Sequence, residues 1–118
     1  MTAARLVPAG TVLPAALLTA AARLAMATQA EAVVLFGSRA RGEAGPDSDW
    51  DLCVVVPDNT PPGSATPLTL WPLVADLQLA IQVVPIRRSV LEETRRDANS
   101  LSHDVARDAV ILHGNLAA

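Results

Sequence analysis

Three short apolar runs, rich in β-branched residues, punctuate the chain: Ala32-Val33-Val34-Leu35-Phe36, Trp50-Asp51-Leu52-Cys53-Val54-Val55-Val56 and Ile81-Gln82-Val83-Val84-Pro85-Ile86. Runs of this length, bounded by glycine, proline and small polar residues, predict buried strands; Pro85 suits a strand end or an edge. Between the runs the pattern turns helical. Residues 13–29 predict a first helix, with Pro14 in its first turn and Thr11 as a nearby cap. Residues 57–67 collect proline, glycine, serine and threonine and read as a loop. A helix is expected over residues 68–79, with Pro72 in its first turn. Another is expected over 90–97, capped by Ser89 with Glu92 as its capping-box partner. A last helix over 100–108 leads into Val110-Ile111-Leu112. Alternating helices and strands without a repeat or linker predict one α/β (α+β) domain over residues 1–118.

Composition narrows the function classes. At 118 residues and 51% hydrophobic content, the chain can build a core and is not a disordered segment. A formal charge of −3 argues against a broad basic surface for nucleic acid. All nine basic residues are arginine, which excludes a Schiff-base lysine and a lysine-bearing P-loop. The single cysteine, Cys53, excludes an intramolecular disulfide and a multi-cysteine zinc site. It falls on the same side of its strand as Asp49 and Asp51, but no histidine is near in sequence to make it a nucleophile. The apolar stretch ending in Ala25-Met26-Ala27 resembles a signal-peptidase site. Arg23 interrupts it, however, and it is too short to span a membrane. It reads as an amphipathic first helix of a cytoplasmic protein.

The chemistry concentrates in Leu35-Phe36-Gly37-Ser38-Arg39-Ala40-Arg41-Gly42 and, beyond ten intervening residues, in Asp49-Trp50-Asp51. Gly37 permits a tight turn and close approach of a ligand. Ser38 offers a hydroxyl and a cap for a short helix over 38–41, whose start suits a phosphate. Asp49 and Asp51 sit two apart at a strand start, so their carboxylates face one side, with Trp50 and Leu52 on the other. Paired oxygen ligands beside phosphates are what Mg²⁺ takes. Singly, each part has a plain alternative: a turn, a solvated acid pair, surface arginines. His103 and His113 lack metal-ligand spacing. Arg87, Arg88, Arg95 and Arg96 read as a solvated helix face paired with Glu92 and Glu93; the alternative is a contact surface for an acidic partner or RNA.

In order and spacing, these parts resemble the signature of the DNA polymerase beta nucleotidyltransferase superfamily, and in size the small stand-alone minimal nucleotidyltransferases (MNT). The helix over 100–108 followed by valine, isoleucine and leucine resembles the end of such proteins. The resemblance implies a small mixed sheet with helices packed on one face and nucleotide and metal on the other. It implies transfer of a nucleoside monophosphate, AMP from ATP, to a hydroxyl. Asp49 and Asp51 would bind Mg²⁺, Ser38 and amides after Gly37 would bind phosphate, and Arg39 or Arg41 would assist. It also implies a helical HEPN toxin as partner, with this chain as antitoxin, and self-association as an alternative use of its surface. Membrane and direct nucleic-acid binding are not implied. One departure stands out. The third carboxylate of the pattern is matched by Gln82, which cannot act as a base. Asp76 falls in the expected helix and is a poorer match. A fold retained for binding alone is therefore the competing reading.

Overall fold

The computed structural model describes residues 13–116. Helix α1 spans Ala15–Thr28, strand β1 Ala32–Phe36, the single turn α2 Ser38–Arg41, and strand β2 Trp50–Val56. Next come α3 at Pro67–Leu70, two 3₁₀ turns at Trp71–Leu73 and Ala75–Leu77, and β3 at Ile81–Arg87. Helices α4 (Arg88–Thr94) and α5 (Leu101–Asp108) and strand β4 (Val110–Gly114) complete the order. The four strands form one mixed sheet in the order β3-β2-β1-β4. β1 runs antiparallel to β2 and β4, whereas β2 and β3 are parallel.

All five β1 residues are buried, because the strand is central and covered on both faces. Val33 and Leu35, with Leu52, Val54 and Val56 of β2, pack under Leu17, Ala20, Ala21 and Leu24 of α1. Ala32, Val34 and Phe36, with Cys53 and Val55, pack against Leu91 of α4 and Val105 of α5. The apolar run without alternation follows from this double cover. The mixed sheet with helices is the architecture expected. The face expected to be left for nucleotide and metal is itself partly covered by α4 and α5.

Local expectations diverge at three places. The helix expected over 68–79 is broken into α3 and two 3₁₀ turns. Pro72 supplies no amide to continue the ladder, and Gln78 ends the region in the left-handed conformation at φ 59°. The capping box that forms is Thr66 with Thr69, not Ser89 with Glu92. Ser89 lies inside α4, and its backbone N–H donates to Asp58 Oδ1 of the loop after β2 at 2.9 Å, so a distant carboxylate satisfies that helix start. Ser100 does cap α5, accepting from the His103 N–H at 3.0 Å. The Thr11 cap lies outside the described residues. Arg23, which interrupts the apolar stretch of α1, pairs with Asp76 at 2.7 Å. No described helix is long and apolar enough to cross a membrane.

Candidate active site

The register of the sheet brings the motif residues to one end. Asp51 lies opposite Phe36 on one side and Gln82 on the other. Gly37, following Phe36, therefore lies against the Asp51 carboxylate. Gly37 has φ 81°, and a Cβ there would collide with Asp51 Oδ2. The glycine is thus required twice, for its backbone angle and for the space the carboxylate occupies. Asp49 is exposed, Asp51 half-buried and Gln82 exposed. Burial pushes the Asp51 carboxyl above its ordinary value, the Asp49 charge pushes it the same way, and Arg41 opposes both. Two acids are held close without a sufficient internal counter-charge.

The turn after Gly37 has its own hydrogen-bond accounts. The amides of Ala40 and Arg41 donate to the Gly37 carbonyl at 3.0 and 3.2 Å. The Gly37 amide donates to Asp108 Oδ2 at 3.2 Å. The amides of Ser38 and Arg39 remain as open donors among the described residues, beside the half-buried Ser38 hydroxyl. Gly37, and not Ser38, occupies the cap position of α2; Ser38 is its first residue.

The two arginines of the turn do different things. Arg39 donates through Nε and Nη2 to the Ser48 carbonyl at 3.2 and 2.9 Å, and through Nη2 to the Pro46 carbonyl at 3.3 Å. Its guanidinium also lies 4.3 Å from the centroid of the Trp50 ring. It ties down the loop that carries Asp49. Arg41 donates from Nε to Glu43 at 2.6 Å and from Nη1 to Asp108 at 2.7 Å. Its Nη2 makes no hydrogen bond among the described residues.

Asp108, to which sequence reasoning assigned no role, is only 1% exposed and accepts from Gly37, Arg41 and Arg107. Burial pushes its carboxyl up, but the hydrogen bonds from Arg107 and Arg41 outweigh that and hold it below the ordinary range. One signal was available: a carboxylate in the last turn of a helix opposes the helix dipole and calls for nearby cations. Cys53 is fully buried, and burial pushes its thiol up to about 12, so it is not a nucleophile. Among the described residues, no three His, Cys, Asp or Glu side chains group as a metal site. Asp76 is engaged by Arg23 and does not join Asp49 and Asp51. Arg95 pairs with Glu92, as a solvated helix face would, but Arg88 is largely buried and bonds to Glu31 at 3.0 Å and to the Asn115 and Leu116 carbonyls, and Arg87, at the end of β3, donates to the Asp58 carbonyl.

A mixed four-stranded sheet with a glycine-serine turn beside paired aspartates defines a nucleotidyltransferase-type fold. The chain belongs to the nucleotidyltransferase domain family, whose pattern matches residues 23–98. Among solved structures, a chain from "Crystal structure of the toxin-antitoxin with AMP-PNP" superposes with a TM-score of 0.55 at 17% identity, over 83% of this chain and 73% of that one. This likeness is one of fold. A nucleotidyltransferase from Sulfolobus solfataricus, described as putative, gives a TM-score of 0.41 at 19% identity, over 87% and 89% of the two chains. No curated protein matches the chain.

Proposed function

We propose that the chain is a Mg²⁺-dependent nucleotidyltransferase that moves AMP from ATP onto a hydroxyl of a partner protein, acting as the antitoxin of a HEPN/MNT pair in the cytoplasm. The observation that carries this reading is the packing of the Gly37 turn directly against Asp51, with Asp49 beside it. Open phosphate donors and open carboxylates thus meet at one point. Asp49 and Asp51, with the Gln82 carbonyl next in register, offer the hard oxygen donors Mg²⁺ takes. The mutual repulsion and burial that raise the Asp51 carboxyl are relieved by a cation. When bound, the metal supplies neutralisation of the triphosphate charge and a lowered barrier to acceptor ionisation.

The chain's own part is positioning. Ser38, through its hydroxyl and amide, holds β/γ-phosphate oxygens, and the free Nη2 of Arg41 adds a charged donor. Arg39 acts at one remove, fixing the loop that presents Asp49. The acceptor oxygen forms a bond to the α-phosphorus, the bond to the β-phosphate oxygen breaks, and pyrophosphate leaves. Gln82 takes no proton, so the acceptor proton passes to water. A solved toxin–antitoxin structure containing AMP-PNP shares the fold, which supports the partner and nucleotide of this reading.

Gln82 favours a second reading: a nucleotidyltransferase fold kept for binding, which neutralises its partner by complex formation without transfer. The experiment that separates them follows label from α-labelled ATP with Mg²⁺ into a HEPN-type protein encoded beside this chain's gene. Label that appears with the wild type and is lost in Asp49→Ala supports the transferase. Tight complex formation without label, unchanged in Asp49→Ala, supports the binder. Large activity gained only with Gln82→Asp would mark a degenerate enzyme.

A further inference from the structure

Asp108 stands seventy-one residues from Gly37 in sequence, yet its carboxylate bonds to both ends of the phosphate turn: the Gly37 amide and the Arg41 guanidinium. We propose that Asp108 is a positioning residue for nucleotide binding, which sets the direction of the Arg41 guanidinium and of the open amides after Gly37. The proposal rests on the reading of this turn as the phosphate site.

The argument is one of donors. Arg41 has a planar fork of N–H groups and no acceptor. Glu43 holds it at Nε and Asp108 at Nη1, so the plane is fixed and Nη2 is left without a hydrogen bond among the described residues. Glu43 is exposed, with 63% of its side chain open to solvent, and cannot by itself order the fork. Asp108, at 1% exposure, is the rigid anchor. The same oxygen, Oδ2, also takes the Gly37 amide. Gly37 is thereby oriented with its φ of 81°, and the next two amides are left for a ligand. Arg107 grips Oδ1 from the far side at 2.8 Å and bonds to Oδ2 at 3.2 Å. A preorganised guanidinium loses less freedom when it meets phosphate, which is where the affinity comes from.

The test uses inorganic tripolyphosphate and AMP-PNP with Mg²⁺, titrated into the full chain by calorimetry, with thermal unfolding recorded for each variant. Asp108→Asn is expected to weaken tripolyphosphate binding by about tenfold, one lost charge-assisted contact at the fork. In an Arg41→Lys background the same change is expected to cost clearly less than in wild type, because the part that runs through the Arg41 fork is already lost and only the part through the Gly37 amide remains. Arg107→Ala, which touches neither Gly37 nor Arg41, is expected to lower the unfolding temperature and leave affinity within about twofold. If Asp108→Asn does not fold, Asp108→Glu carries the test, since it keeps the charge and displaces the oxygens; weaker binding than wild type is then expected. A folded Asp108 variant that binds tripolyphosphate as tightly as wild type overturns the positioning role while leaving the phosphate site intact. Additive losses with Arg41→Lys overturn it as well. A wild type that binds neither probe would sink the phosphate-site reading itself.

Discussion

Asp51 and Asp108 lie on either side of the same glycine, and their surroundings push their carboxyl groups in opposite directions. Asp51 is half-buried beside a second acid, with only Arg41 opposing, and its carboxyl is raised. Asp108 is nearly inaccessible, yet the hydrogen bonds from Arg107 and Arg41 hold it low. Charge compensation, and not burial, separates them. The saturated acid belongs to the scaffold, while the uncompensated one is available to something the chain does not itself supply. A cation fits that vacancy of charge, and the contrast is the physical basis for assigning one aspartate to structure and the other to chemistry.

The largest expected effect tests the chemical half. Asp49→Ala or Asp51→Ala should reduce transfer of labelled AMP by about 10³-fold or more, since several kcal/mol of charge stabilisation are removed with the metal ligand. Transfer surviving either change at wild-type rate would break the assignment. On the structural half, Asp108→Ala should destabilise the fold by about 2–3 kcal/mol in urea unfolding. That is below the range for a fully enclosed pair, because Arg41 and Arg107 can return to water. Its pH signature has a definite sign. With a folded-state value below the ordinary 3.8, Asp108 contributes stability that is fully present above 3.8 and lost as pH falls through the lower value. Wild type and Asp108→Ala should therefore converge in unfolding midpoint on acidification from neutral pH.

A smaller effect sharpens the contrast, because its direction is reversed. Asp51→Asn removes a repelled, desolvated charge and should raise the melting temperature while abolishing transfer. Mg²⁺ should stabilise wild type and leave Asp51→Asn unmoved, read by differential scanning fluorimetry. A fall in melting temperature would mean that Asp51 is compensated after all. The smallest change is expected at Asp76. Its pair with Arg23 has the same 2.7 Å length as Arg41–Asp108, but both side chains are open to solvent, at 42% and 66% exposure. Asp76→Ala should leave the unfolding midpoint where it is.

Much of this was legible in the order of residues. The three strands are set by short β-branched runs, and β1 and β2 begin and end where the apolar pattern does. The turn over residues 38–41 is equally local, as is the expected alternation of Asp49 and Asp51, although β2 begins only at Trp50. Where local pattern misled, a distant partner had taken over. Ser89 looks like a cap, but Asp58 reaches its amide first. Residues 68–79 look helical, but Pro72 divides them into shorter turns that pack against α1. Of the two arginines read as candidate phosphate contacts, Arg39 is engaged by Trp50 and the Ser48 carbonyl.

The sequence by itself therefore determined the strands, the glycine turn, the acid pair and the family. Each depends on spacing within about ten residues, which local backbone geometry converts directly into direction. Only the tertiary structure decided that Gln82 stands beside Asp51, because strand register is a property of the paired chains. It alone placed Asp108 under the turn. A carboxylate seventy-one residues away becomes a ligand of Gly37 only once α5 has packed onto the sheet, and hydrogen bonds of that kind leave no periodic trace in the order of residues.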